Sequence, residues 1–271
     1  MAQAIGYMDS GVGGLTVVKE TLKQLPYETV YFFGDQGRLP YGPRSATEVS
    51  QFAGQIGQYL LDKDIKMFVI ACNTATYAAL DDLRAMLPIP VIGVISPGAR
   101  AATKVTRNHK IGLIATDGTI KSQAYEKSIL AKDGRNEVFS VACQSFVTLV
   151  EDNEYTTEKA REIVKASLKD FDGTGIDTLI LGCTHFPLLK PFIQEAVGPD
   201  VTLVDPAVET ANMVTTMLDY FELTNATSKK ELADQYFTSG DSKRFEAIAN
   251  DWLPQNDIQA IHVPITDLET K

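Results

Sequence analysis

Two stretches of the chain share a pattern. VIACNTAT, Val69 to Thr76, runs an apolar segment into Cys72 followed by Asn73 and Thr74; LILGCTHF, Leu179 to Phe186, runs another into Cys183 followed by Thr184 and His185. Each reads as a strand ending where a helix begins, so a thiol stands at the strand tip beside unpaired backbone N–H groups that attract anions. A cysteine at such a place is expected to have its thiolate favoured, which lets it act at neutral pH despite a free pKa of roughly 8.5. A single cysteine of this kind reads first as a small buried hydrophobe, but two matched contexts shift the reading toward chemistry. His185 is either a base partner for Cys183 or a structural hydrogen-bonding histidine.

The N-terminus supplies a third junction. IGYMDSGVGGLTVVKE reads as strand, polar turn, glycine-rich loop and helix, with Asp9 and Ser10 where a carboxylate and a hydroxyl face a site or cap a turn. Gly11, Gly13 and Gly14 fill neither G-x-G-x-x-G nor a Walker loop. GRLPYGPRS, residues 37 to 45, is a proline- and glycine-stiffened loop around Tyr41 that could close over a pocket or form a surface turn. Glu151, Asp152 and Glu154 after FVTLV read as a solvated helix start, Cys143 in VFSVACQSF as a buried apolar residue, and His109 and His262 as surface or strand residues. No His, Cys and Asp set has metal-ligand spacing, and nothing announces an organic cofactor.

These residues need elements to hold them. Strand-length apolar runs recur at Ile5 to Met8, Val30 to Phe33, Met67 to Ala71, Val91 to Ile95, Ile111 to Ala115, Val138 to Ala142, Thr178 to Leu181, Val201 to Val204 and Ala260 to Val263. Between many of them lie stretches of helical period, such as Val49, Phe52, Ala53, Ile56, Tyr59 and Leu60, and Ala160, Ile163, Val164 and Leu168. Runs without polar alternation, separated by helices, predict an α/β fold with mainly parallel sheets. Ser96-Pro97-Gly98 and Val204-Asp205-Pro206 break the pattern, which predicts a discontinuous first domain, residues 1–96 plus 207–271, and a second domain, 97–206.

A net charge of −10 with no Lys/Arg cluster argues against a nucleic-acid partner. No signal-like N-terminus and no 18-residue apolar run is present, so no membrane association is expected. Three widely spaced cysteines suit a reducing cytoplasm better than a disulfide framework.

Five motifs in order, D-S-G-V-G-G at 9–14, P-Y-G at 40–42, A-C-N-T-A-T at 71–76, L-G-C-T-H-F-P at 181–187 and F-T-S-G-D at 237–241, resemble those of the cofactor-independent glutamate racemases across nearly the whole chain. The resemblance implies two pseudo-symmetric α/β domains with the active site in the cleft between them, each contributing one catalytic cysteine, Cys72 and Cys183. It implies substrate contacts at Asp9, Ser10, Tyr41, Gly42, Asn73, Thr74, Thr184 and His185, with Asp9 and His185 assisting the thiols and Glu151 a further carboxylate near the second one. No cofactor or metal is implied. The substrate would be L- or D-glutamate, the protein a cytoplasmic homodimer, and its role the supply of D-glutamate for peptidoglycan. Some relatives carry an N-terminal extension linked to activation by a wall precursor; Asp9 lies so near Met1 that no extension and no such activation are expected.

The chemistry gives two thiols a reason. Inverting a carbon without a cofactor takes one base to remove the proton from one face and one acid to deliver a proton to the other. Three other readings remain: a relative acting on aspartate, a hydantoin or maleate; a thiol hydrolase built on Cys183 and His185, which leaves Cys72 idle; and a two-lobed binding module, which needs neither thiol.

Overall fold

The computed structural model describes residues 3–255 and 257–270. In chain order its strands are β1 (Ala4–Asp9), β2 (Val30–Gly34), β3 (Ile65–Ile70), β4 (Val91–Gly93), β5 (Lys110–Ala115), β6 (Glu137–Ala142), β7 (Thr178–Gly182), β8 (Thr202–Val204), β9 (Gln235–Thr238) and β10 (Ala260–His262). They form a six-stranded sheet in the order β10-β9-β2-β1-β3-β4 and a four-stranded sheet in the order β6-β5-β7-β8. Every neighbouring pair is parallel. Parallel neighbours require crossover connections, and helices such as Leu15–Gln24, Ala46–Leu61 and Asn73–Met86 supply them. β1, β2, β3 and β7 are buried along their whole length, which is why their sequences run apolar without alternation. The edge strand β6 is only partly buried and has the mixed sequence EVFSVA.

The order 2-1-3-4 in the first sheet recurs as 6-5-7-8 in the second, with β9 and β10 added at one edge of the first. The chain therefore builds one unit twice, which explains the matched cysteine segments: Cys72 follows β3 and Cys183 follows the equivalent strand β7. In each unit the strand order reverses beside the first strand, β1 or β5. Open α/β sheets bind ligands outside the carboxyl ends of the strands at that reversal.

The chain passes to the second sheet through the helix Ile95–Val105 and returns through the helix Pro206–Tyr220, and the two helices pack together. Ser96-Pro97-Gly98 thus opens a helix instead of breaking the pattern. Proline is tolerated there because the first-turn N–H groups have no intrahelical partner to lose. At the return, Asp205 caps the helix by accepting from the Ala207 N–H at 2.9 Å, and Pro206 takes the first helical position. Ser45 and Glu48 cap the helix Ala46–Leu61 reciprocally, and its predicted apolar face, including Val49, Ala53, Ile56 and Leu60, is buried.

β9 is the strand the apolar runs do not predict. Its apolar run is only Tyr236-Phe237, flanked by Gln235 and Thr238, yet Tyr236, Phe237 and Thr238 are buried between β2 and β10. No helix among the described residues is long and apolar enough to cross a membrane.

Candidate active site

The carboxyl ends of the two sheets meet at a small cavity of about 20 Å³, lined by Ser10, residues 39–42 and 72–74, Thr116, Gln144, Val147 and residues 183–185. That is room for about one water molecule. A larger groove of about 510 Å³ lies between the helices Ala46–Leu61 and Asn73–Met86. It holds no thiol and no imidazole, so the chemistry and not the volume marks the site. Of the residues singled out from the sequence, Ser10, Tyr41, Gly42, Cys72, Asn73, Thr74, Cys183, Thr184 and His185 line the small cavity. Asp9 and Glu151 stand directly behind it, hydrogen-bonded to Thr184 and His185.

Cys72 is the N-cap of the helix Asn73–Met86; its Sγ accepts from the Ala75 N–H at 3.4 Å and donates to Ser10 Oγ at 3.8 Å. The helix start was expected to favour its thiolate. Burial, reinforced by the charge of Asp9, instead pushes the thiol up to about 12, because the Ala75 N–H lowers it by less than desolvation raises it. Asp9 is itself fully buried, with Oδ2 accepting from the Gly11 N–H at 3.0 Å and Oδ1 from Thr184 Oγ1 at 3.2 Å. Burial holds its carboxyl above the usual range against the opposing charge of His185.

Cys183 is served differently. After β7 the chain turns through Thr184 and His185 into a single 3-10 turn, Phe186–Leu189, and the α-helix starts only at Lys190. Instead of a helix start, Cys183 has an imidazole: its Sγ lies 3.6 Å from His185 Nδ1, while His185 Nε2 lies 2.7 Å from Glu151 Oε1. Burial disfavours the imidazolium, but the hydrogen bonds and charges of Cys183 and Glu151 outweigh it and hold His185 well above the ordinary histidine range. Burial likewise disfavours the Glu151 carboxylate, but His185 more than compensates and keeps Glu151 below the usual range. Glu151 is therefore not part of a solvated helix start. It is the last residue of the helix Gln144–Glu151 and turns inward, while Asp152 is exposed.

Around the thiols stand hydrogen-bonding groups suited to carboxylates. The first turn of the helix Asn73–Met86 leaves the Asn73 and Thr74 N–H groups without intrahelical partners. Thr74 Oγ1 is 3.0 Å from Thr116 Oγ1, which is 3.0 Å from Thr119 Oγ1, so a chain of hydroxyls joins the tips of the two sheets. Asn73 Oδ1 accepts from the Tyr125 hydroxyl at 2.8 Å. The stiff 37–45 segment places residues 39–42 in the cavity wall, and the Tyr41 hydroxyl donates to Asp35. A Cβ at Gly42 would meet the Gln144 carboxamide and press on Thr116, so a larger residue there requires the Gln144 side chain to move away.

Thr116, Gln144 and Val147 were not found from the sequence. Thr116 had a signal: it follows β5 as Ser10 follows β1, so the matched units point to both. His109 and His262 lie elsewhere, bonded to Asn136 Oδ1 and the Gly240 carbonyl. Cys143 is buried and pushed up to about 12 by desolvation, as befits an inert thiol.

The sequence profile of the Asp/Glu/hydantoin racemase family matches residues 8–214. The chain is 56% identical to a glutamate racemase of Lactiplantibacillus plantarum over 97% of its own length and 96% of that protein's. Its fold superposes on a glutamate racemase isoform from Bacillus anthracis with a TM-score of 0.92 at 44% identity, covering 97% of this chain and 98% of that one. A Francisella tularensis glutamate racemase solved with D-glutamate matches with a TM-score of 0.91 at 32% identity, covering 99% of each chain.

Proposed function

Because the chain belongs to the Asp/Glu/hydantoin racemase family, and within it to the glutamate racemases, we propose that it interconverts L- and D-glutamate by a cofactor-independent two-base mechanism on Cys183 and Cys72. One observation carries this reading: thiols from equivalent strands of two matched sheets line a single cavity, one held protonated by burial, the other beside an imidazole that Glu151 keeps cationic.

From L-glutamate, Cys183 as thiolate removes the α-proton, and the C–H electron pair passes to the α-carbon and its carboxylate. Cys72 then donates its S–H proton to the opposite face, leaving D-glutamate, a Cys183 thiol and a Cys72 thiolate. The D-isomer runs the same steps backwards. Ser10, Asn73, Thr74 and Thr184, with the N–H groups at the helix start, hold the substrate carboxylates and stabilise the developing carbanion. Asp9 assists Cys72 and accepts from the substrate ammonium; His185 and Glu151 assist Cys183. The cavity as it stands is too small for glutamate, so the two units part to admit substrate and close to exclude water.

The reading extends to a cytoplasmic homodimer that supplies D-glutamate for peptidoglycan synthesis. The nearest rival is aspartate as substrate. Racemisation assays with both acids decide between them: kcat/KM is expected to favour glutamate by about 10- to 200-fold, the range one methylene supports. Loss of optical rotation with aspartate and none with glutamate would overturn the reading.

A further inference from the structure

Asp35 immediately follows β2, at the same edge of the sheet as the site, and is fully buried. Its Oδ2 accepts from Arg38 Nε at 2.7 Å and from the Tyr41 hydroxyl, and its Oδ1 accepts from Ser239 Oγ at 2.6 Å. Ser239 belongs to the F-T-S-G-D segment, to which the reaction steps assign no part, and its Oγ also accepts from the Gly37 N–H at 2.9 Å. Arg38 is steered in turn: Nη1 donates to Gln55 Oε1 at 2.5 Å, and the guanidinium lies 4.2 Å from the centre of the Phe52 ring, which also packs on Tyr41.

A buried carboxylate is unfavourable unless fully partnered, and apolar packing would fill the same space with less penalty. What this network adds is direction. It fixes the Tyr41 side chain from behind, and Tyr41 carries residues 39–42 in the cavity wall. Neither the Tyr41 nor the Gly42 N–H donates to any described residue, so both remain available to an anion in the cavity. Burial and the Asp35 carboxylate also push the Tyr41 phenol well above its ordinary range, so its hydroxyl stays a donor.

We propose that Asp35 is a positioning residue for the reaction: by holding the Tyr41 hydroxyl, with Arg38 and Ser239 on its other bonding positions, it fixes the 39–42 loop so that the Tyr41 and Gly42 N–H groups grip a substrate carboxylate. This rests on the racemase reading above. Because the grip is the same in ground and transition states, its loss raises KM and leaves kcat nearly unchanged.

The test is a double-mutant cycle on glutamate racemisation, with thermal unfolding measured alongside. Asp35→Asn and Tyr41→Phe are each expected to raise KM by about 10- to 100-fold, the range for a hydrogen bond to a charged group. The double variant is expected to be no worse than Tyr41→Phe alone, because that change already deletes the hydroxyl whose bond Asp35→Asn weakens by removing the charge on the acceptor. Should Asp35→Asn fail to fold, Ser239→Ala keeps the buried ion pair and is expected to raise KM by about 2- to 10-fold. An active wild type whose variants keep its KM, or whose effects multiply in the double variant, overturns the anchor alone. A wild type that does not racemise glutamate overturns the anchor and the underlying reading together.

Discussion

Cys72→Ser and Cys183→Ser are each expected to lower glutamate inversion by about 10²- to 10⁴-fold in both directions, the range spanned by a lost general acid or base. Each thiol is the base for one isomer and the acid for the other, and a serine hydroxyl is too weak an acid to take either role near neutral pH. The enantiomers are equal in energy, so kcat/KM must fall equally from either side. Cys143→Ser is the control. That thiol is buried outside the cavity lining, and its variant should invert glutamate at the wild-type rate. Steady-state circular dichroism of all three variants checks this; a serine variant at position 72 or 183 with full activity would contradict the two-base scheme.

The second large effect is expected at Glu151. Its carboxylate, 2.7 Å from His185 Nε2, is one of the two groups that hold the imidazole well above the ordinary range. Removing the charge in Glu151→Gln lowers the His185 pKa. As pH rises, the imidazolium beside the Cys183 sulfur is then lost earlier than in the wild type, and the thiolate base loses its cationic partner. The alkaline limb of the kcat/KM profile should move downward in pH, and kcat/KM at pH 7 should fall by about 10- to 100-fold. A pH–rate profile of the variant checks both; an alkaline limb in the wild-type position would remove Glu151 from the mechanism.

What the sequence revealed, and what it hid, follows from how far apart the interacting residues are along the chain. Cys72 and Cys183 were legible because each sits at the end of a long apolar run, and because one topology used twice repeats the same local pattern. Most strands were legible for the same reason, since burial on both faces leaves an uninterrupted apolar run. β9 was not, as its apolar run is only Tyr236-Phe237 between Gln235 and Thr238, and its burial comes from β2 and β10, distant in sequence.

The electrostatics were the least legible part. Asn-Thr after Cys72 correctly marked a helix start, but the state of the thiol is set by desolvation and by Asp9, some sixty residues earlier. Thr-His after Cys183 looked like the same device. Pro187 there lies within a 3-10 turn, and the group beside the thiol is His185, held by Glu151 at the end of the helix Gln144–Glu151. Glu151 looked solvated because its neighbours Asp152 and Glu154 are acidic, yet its own side chain turns inward. Asp35 was missed although Arg38 and Tyr41 follow it by three and six residues, because the pocket that buries it and its third partner, Ser239, form only in the folded sheet.

The central claim is that two different sulfurs handle the two faces of the α-carbon, and early turnover of L-glutamate in deuterated water tests it most directly. Cys183 carries the substrate proton away and Cys72 delivers a solvent-derived deuteron. The first D-glutamate formed should therefore be fully deuterated at the α-carbon while the remaining L-glutamate still carries protium. D-glutamate that retains the substrate proton, or label entering substrate and product equally from the start, would show that a single base serves both faces and would contradict the account.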